Sequence, residues 1–281
     1  MKLVRYGKAG FEKPGAIDAG GGLRDLSTLV EDIDVSVFSP EGQRRLAGLD
    51  LRTMPRVSGE PRLGVPFVGI SKFIGIGLNY ADHAAESNMP VPKEPIMFMK
   101  ATTSINGPND DVIKPPHSTK LDWEVELGIV IGSEARYVSL EQALRHVAGY
   151  VLINDVSERQ FQLERGSQWD KGKGCDTFGP IGPYLVTPDE VPNPQKLSMW
   201  LDVNGEPMQR GSTSTMVFDC RHLVSYCSHY MTLRPGDVIA TGTPPGVGMG
   251  KKPPRFLVAG DVVTLGIDGL GKQRQRIVAA S

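Results

Sequence analysis

From Leu121 to Gly132 the chain alternates: Trp123, Val125, Leu127, Ile129 and Ile131 are apolar, and Asp122, Glu124 and Glu126 stand between the first of them. A two-residue period rich in β-branched and aromatic side chains predicts one strand over residues 121–132, with an apolar face and an acidic face. Like charges two residues apart on one face repel, so the acidic face needs a reason. Elsewhere the pattern predicts strands in KFIGIGLNY (72–80) and YVLINDVS (150–157). SLEQALRHVAG (139–149) reads as a helix, with Ser139 and Gln142 as a capping box and Leu140, Ala143, Leu144 and Val147 on one face. SERQFQLE (157–164) reads as a second, with Ser157 and Gln160 in the same roles, so that Asp155 falls at a strand-to-helix junction. EGQRRLAGLDL (41–51) predicts a short helix, preceded by short strands and turns. PRVSGEPRLGVP (55–66) breaks every period, and we expect a small N-terminal module over residues 1–62 and a main domain over 63–281.

Composition sharpens the fold class. The 33 glycines and 22 prolines make about a fifth of the chain, against about 12 % on average, so turns punctuate short elements and the fold is expected to be mostly β with peripheral helices. A formal net charge of −1 gives no basic surplus for nucleic acid or anionic lipid. No apolar run approaches the roughly 20 residues of a membrane helix, and MKLVRYGKAG has neither the apolar stretch nor the cleavage pattern of a leader. Cys175, Cys220 and Cys227 are odd in number and scattered, which suits a reducing, cytoplasmic setting.

Two glycine-rich stretches invite a nucleotide reading and fail it. GIGLNY carries Tyr80 where a dinucleotide fingerprint has its third glycine, and GVGMGKK has neither the spacing nor the Ser/Thr of a phosphate loop. Both are read as turn chemistry, with Gly246, Gly248 and Gly250 allowing close backbone packing. No GxSxG occurs, which disfavours a serine hydrolase. The acidic face is more informative. By spacing alone Glu124 and Glu126 are an ordinary solvated surface; but Asp155 ends an apolar strand, where a lone ionised carboxylate is costly to bury. A hard cation shared by Glu124, Glu126 and Asp155 reconciles these facts. An oxygen-only donor set selects Mg²⁺, with Mn²⁺ or Ca²⁺ as substitutes, and octahedral Mg²⁺ would keep about three positions for water or a chelating substrate.

GLNYADHAAE, DWEVELGIVIG, GYVLINDVSERQFQ, KGKGCDTFGPIGP and LRPGDVIATGTPPGVG occur in the order that resembles the fumarylacetoacetate hydrolase family, from about residue 70 to the C-terminus. The resemblance implies a mixed β-roll, assembled as a homodimer or higher homo-oligomer, acting on a small 2-oxo acid with Mg²⁺. It implies metal ligation by Glu124, Glu126 and Asp155, and gives Asp122 no ligand role; Asp122 is read as a loop-end or solvated carboxylate. It places Arg159 and Gln162 beside the metal, with Arg159 either in a structural salt bridge or on substrate. It makes Lys173 a proton donor or acceptor at C3, has Thr243 bind the substrate carboxylate through its hydroxyl or amide, and has Lys100 frame the pocket. His83 with Glu86 becomes the water-activating pair of a lid.

The wording around GSQWDKGKGCDTFGPIGP is similar to that of bacterial 2,4-diketo-3-deoxy-sugar-acid hydrolases, such as those acting in L-rhamnonate and L-fuconate breakdown. Cleavage of a C3–C4 bond to pyruvate and a small acid such as lactate is therefore expected. Oxaloacetate decarboxylation, hydration, isomerisation and ureidoglycolate cleavage remain open on the same scaffold. A non-catalytic metal-stabilised binding protein is the reading of another class, and the presence of a lysine and a His–Glu pair alongside the carboxylates argues against it.

Overall fold

The structure, a computed structural model, describes residues 1–82 and 91–280. One mixed sheet of nine strands runs in the spatial order Leu23–Asp25, Lys13–Ile17, Lys2–Tyr6, Leu185–Val186, Val147–Asn154, Val125–Ile131, Val238–Ala240, Phe73–Gly77 and Ile96–Lys100. Val238–Ala240 lies parallel to Phe73–Gly77 and antiparallel to Val125–Ile131. A second sheet of five strands, Glu206–Ser212, Ser198–Val203, Val262–Ile267, Gly271–Ala279 and Val112–Lys114, shares an apolar core with the first. Helices are short and peripheral. The longest described one, Cys220–Tyr230, starts where Asp219 accepts the His222 N–H. No described helix is long and apolar enough to cross a membrane. The mostly β architecture expected from the turn-rich sequence is what the chain adopts.

Apolar packing on both faces explains the central strand Val125–Ile131. Leu127, Ile129 and Ile131 pack with Met199, Leu201 and Leu265 of the second sheet. On the opposite face Val130 packs with Leu3, Leu26, Val37 and Phe38 from the first 62 residues. That second face is acidic only where it begins: Glu126 is followed by Gly128, where a Cβ would come within 2.5 Å of Ile153, and then by Val130. The strand thus delivers a carboxylate to one end of a face that is otherwise core. The N-terminal residues extend the same sheet, Lys2–Tyr6 pairing antiparallel with Leu185–Val186.

Three local expectations are corrected. Residues 121–132 form two strands: Leu121–Asp122 pairs with Ser157–Glu158, and the chain re-enters the large sheet at Val125. Residues 139–149 form turns and a 3₁₀ turn, Ala143–His146, before the strand starting at Val147; of the four residues placed on one helical face, Ala143 and Val147 reach the core while Leu140 and Leu144 are 44 % and 37 % exposed, so half of that face has nothing to pack against. The helix near Ser157 is Arg159–Leu163 and is capped by Glu158, which accepts the Gln160 N–H, while the Ser157 hydroxyl donates back to Asp155 O.

Candidate active site

The interruption at Trp123–Glu124 builds the site. Two backbone N–H groups there find side-chain acceptors: that of Glu124 donates to Asn154 Oδ1 (3.2 Å) and that of Val125 to Gln209 Oε1 (3.0 Å). The Asp155 N–H donates to Glu124 O (2.9 Å), which ties the two carboxylate-bearing segments together. Gln209, on the second sheet, also donates to Thr243 Oγ1 (2.8 Å) and Pro244 O (2.7 Å). The Thr243 hydroxyl in turn donates to Val125 O (2.9 Å). It is committed to the fold as donor and acceptor.

Glu124, Glu126 and Asp155 converge as their sequence pattern suggests. Each offers a carboxylate oxygen, and these oxygens lie within 4.8 Å of one another, all on buried residues. Lys173 Nζ stands 2.5 Å from Glu124 Oε2 and 2.8 Å from Asp155 Oδ2. Lys100 Nζ lies 2.6 Å from Asp155 Oδ1 and also donates to Val156 O and Lys173 O, so its three hydrogens are directed to protein acceptors behind Asp155 and it is absent from the described cavity wall. Arg159 directs one N–H from each of its three nitrogens to the protein: Nε to Asp122 Oδ2 (2.9 Å), Nη2 to Glu124 Oε1 (2.6 Å) and Nη1 to Gln162 Oε1 (3.1 Å). His83 and Glu86 lie outside the described residues.

Asp122 departs from its expected solvated role. It is fully buried; Oδ1 accepts the N–H groups of Trp123 (2.8 Å) and Gly248 (2.6 Å), and Oδ2 accepts Met249 N–H (3.0 Å) besides Arg159. The cause lies over a hundred residues away, in a loop whose amides turn toward it. Gln209 likewise carries no local signal, since only the packing of the second sheet brings it to Val125.

Burial is the main influence on these charges. It pushes the Glu126 carboxyl well above its usual range, and the nearby Asp155 and Glu124 push the same way. Burial works against the Lys173 ammonium, yet Asp155 and Glu124 outweigh it and hold that pKa above the usual lysine value. For Lys100 burial prevails and the pKa falls. Among the described residues no cationic side chain pairs with Glu126, whose Oε2 accepts the Gly242 N–H (2.8 Å). A buried carboxylate short of a counter-ion, in an oxygen-only cluster, fits a hard divalent cation.

The cluster opens into a cleft of about 480 Å³, counting the space at its mouth. Among the described residues its polar lining is Glu124, Glu126, Arg159, Gln162, Lys173 and Thr243, and the rest of the described lining is apolar. The mixed β fold thus carries, at the end of a cleft, a buried carboxylate–lysine cluster that could hold a metal ion. The chain belongs to the fumarylacetoacetate hydrolase family, whose profile, described as the fumarylacetoacetate (FAA) hydrolase C-terminal, matches residues 72–278.

The chain is 61 % identical over 277 residues, 98 % of each chain, to a Burkholderia cenocepacia protein whose name places it among hydrolases without a substrate. It is similar throughout to the fumarylacetoacetate hydrolase of psychrophilic Exiguobacterium antarcticum (38 % identity, TM-score 0.87, all of both chains). It also resembles 2-hydroxyhepta-2,4-diene-1,7-dioate isomerase of Mycobacterium marinum (31 %, TM-score 0.77, 100 % of this chain and 99 % of that one). Maleylpyruvate hydrolase of Sphingobium sp. SYK-6, solved with manganese(II) and pyruvate, is 28 % identical with a TM-score of 0.83 over all of both chains.

Proposed function

We propose that the protein hydrolyses the C3–C4 bond of a 2,4-diketo acid, an acylpyruvate, with Mg²⁺ or Mn²⁺ as cofactor. The observation that carries this reading is Lys173, an ammonium held within 3 Å of Glu124 and Asp155 in a buried three-carboxylate cluster. A divalent ion held by Glu124, Glu126 and Asp155 would supply Lewis-acid polarisation of the 2-oxo group. The chain's own groups do the rest. The Gln162 carbonyl oxygen is taken by Arg159, so its amide NH₂ is left to orient the substrate's acid end. Thr243, its hydroxyl committed to Val125 O, serves through its backbone N–H. Arg159, locked between Asp122 and Glu124, holds the Glu124 carboxylate in place.

His83, oriented by Glu86, takes the proton of the water that adds to the C4 carbonyl. The C3–C4 bond then breaks, its electron pair staying on C3 as the enolate of pyruvate, and Lys173 delivers the proton that makes the methyl group. The balance is diketo acid plus water to pyruvate plus the acid of the acyl half. The likeness to a hydrolase solved with manganese and pyruvate supports this reading. The likeness to a dioate isomerase supports a second, proton transfer through the same lysine without water addition.

The deciding measurement is pyruvate release from a panel of 2,4-diketo acids and oxaloacetate, with and without Mg²⁺. Metal-dependent pyruvate with a stoichiometric organic acid is the expected result. CO₂ without an acid partner would mean decarboxylation, and isomerised substrate without pyruvate would mean the isomerase.

A further inference from the structure

The two glycines of GIGLNY lie within the strand Phe73–Gly77, inside the strand expected over residues 72–80 and not in a turn. Gly75 and Gly77 are two residues apart and so face one side of the sheet. A Cβ on Gly75 would lie 2.2 Å from the Phe98 ring, and one on Gly77 would lie 2.4 Å from the Trp169 ring. Both rings therefore rest on bare backbone. Their centroids are 5.6 Å apart, and Lys173 Nζ stands 5.1 Å from the Phe98 centroid. The rings form a wall that starts at the buried lysine and ends at the half-buried Trp169. Ile76, Leu78, Leu163 and Met249 complete the apolar part of the described lining. Apart from the indole N–H and the methionine sulfur, none of these side chains can hydrogen-bond.

On the acylpyruvate reading, on which this inference rests, the geometry points to Trp169, held over Gly77, as a specificity-determining residue. It accepts an acyl tail beyond C4 that is flat or apolar, alkyl or conjugated alkene, in preference to a hydroxylated one. A hydroxyl pressed against the ring faces and aliphatic side chains of this wall loses water without gaining a partner from those described groups, which costs roughly tenfold in binding or more. An alkyl or alkenyl tail gains from burial and from contact with the ring face. This reverses the hydroxylated tail implied by the sugar-acid resemblance.

The test compares 2,4-dioxohexanoate with 5-hydroxy-2,4-dioxohexanoate, which differ by one hydroxyl and yield propanoate or lactate beside pyruvate. In the Mn²⁺-loaded wild type kcat/KM is expected to be about tenfold higher, or more, for the first. Trp169→Gln, which replaces the ring with a hydrogen-bonding amide, brings the ratio to near unity, mainly through KM, and leaves Mn²⁺ affinity unchanged. Gly77→Ala, which drives a methyl into the indole, lowers kcat/KM for 2,4-dioxohexanoate by the same route. Equal rates in the wild type, or faster cleavage of the hydroxylated acid, overturn the inference and leave the acylpyruvate reading standing. An unchanged ratio in Trp169→Gln removes Trp169 as its cause. Cleavage of neither acid overturns both.

Discussion

Two buried polar clusters meet at Asn154 and differ in charge. On one side the Asn154 side-chain NH₂ donates to Gln275 Oε1 (3.0 Å), Gln275 donates to Gln273 Oε1 (2.9 Å) and Pro108 O, and Gln273 donates to Leu152 O (2.9 Å) and Gly182 O (2.8 Å). Every group is neutral and each amide has its partners, so this seam fastens the strand Gly271–Ala279 to Val147–Asn154. On the other side Asn154 Oδ1 holds the Glu124 N–H, and buried there are Asp122, Glu124, Glu126 and Asp155 against Lys100, Arg159 and Lys173. Among the described residues the carboxyl groups outnumber the cationic ones four to three, and the cationic partners described fall to Asp122, Glu124 and Asp155. Satisfied neutral polarity in a core is scaffold, whereas unmatched buried charge marks a place built for something else.

The largest effect should come from removing the unmatched charge. Glu126→Gln keeps the shape and is expected to abolish both Mn²⁺ binding, read by calorimetry, and pyruvate release; EDTA should silence the wild type until Mg²⁺ or Mn²⁺ is returned. Full turnover in metal-free buffer would erase the distinction between the clusters. A smaller loss separates the two halves of the chemistry. His83→Ala is expected to lose C–C hydrolysis by about 10²- to 10⁴-fold, the usual cost of a general base, while still exchanging the methyl protons of pyruvate in D₂O by NMR. Lys173→Met should lose that exchange and keep the metal, and the reverse pattern would show the two roles exchanged.

The smallest effect belongs to the neutral seam. Gln275→Leu strands the Asn154 amide and should cost about 1–3 kcal/mol of stability in a urea melt, with Mn²⁺ affinity unaltered. A matching loss of metal affinity would show that the seam reaches into the site.

The sequence carried the charged cluster better than its supports. Glu124 and Glu126 were legible because a two-residue period puts them on one face, and Asp155 because an apolar strand leads into it. Asp122 obeys the same period, yet what buries it is a pair of amides at Gly248 and Met249, and no local pattern records their approach. Gln209 and Asn154 matter because a strand is interrupted, and the interruption at Trp123–Glu124 leaves the hydrophobic alternation intact. Residues 139–149 failed in the opposite sense: a helical period was present, but its leucines found no surface to bury against. The strand through GIGLNY is legible in its period, but the use of its glycines is not, because the rings they admit come from Phe98 and Trp169, the second of them over ninety residues downstream.

The pairing of Lys2–Tyr6 with Leu185–Val186 has a consequence for how the chain could be shortened. Residues 72–278 hold the family match, yet a fragment cut to those bounds would lose the strand that covers Leu185–Val186 and the apolar side chains that cover Val130, Val151 and Ile153. It would present unpaired backbone groups beside bare aliphatic surface, a template for adding strands from other molecules. In this protein the stretch that matches the family is shorter than the stretch that closes its sheet and covers its core.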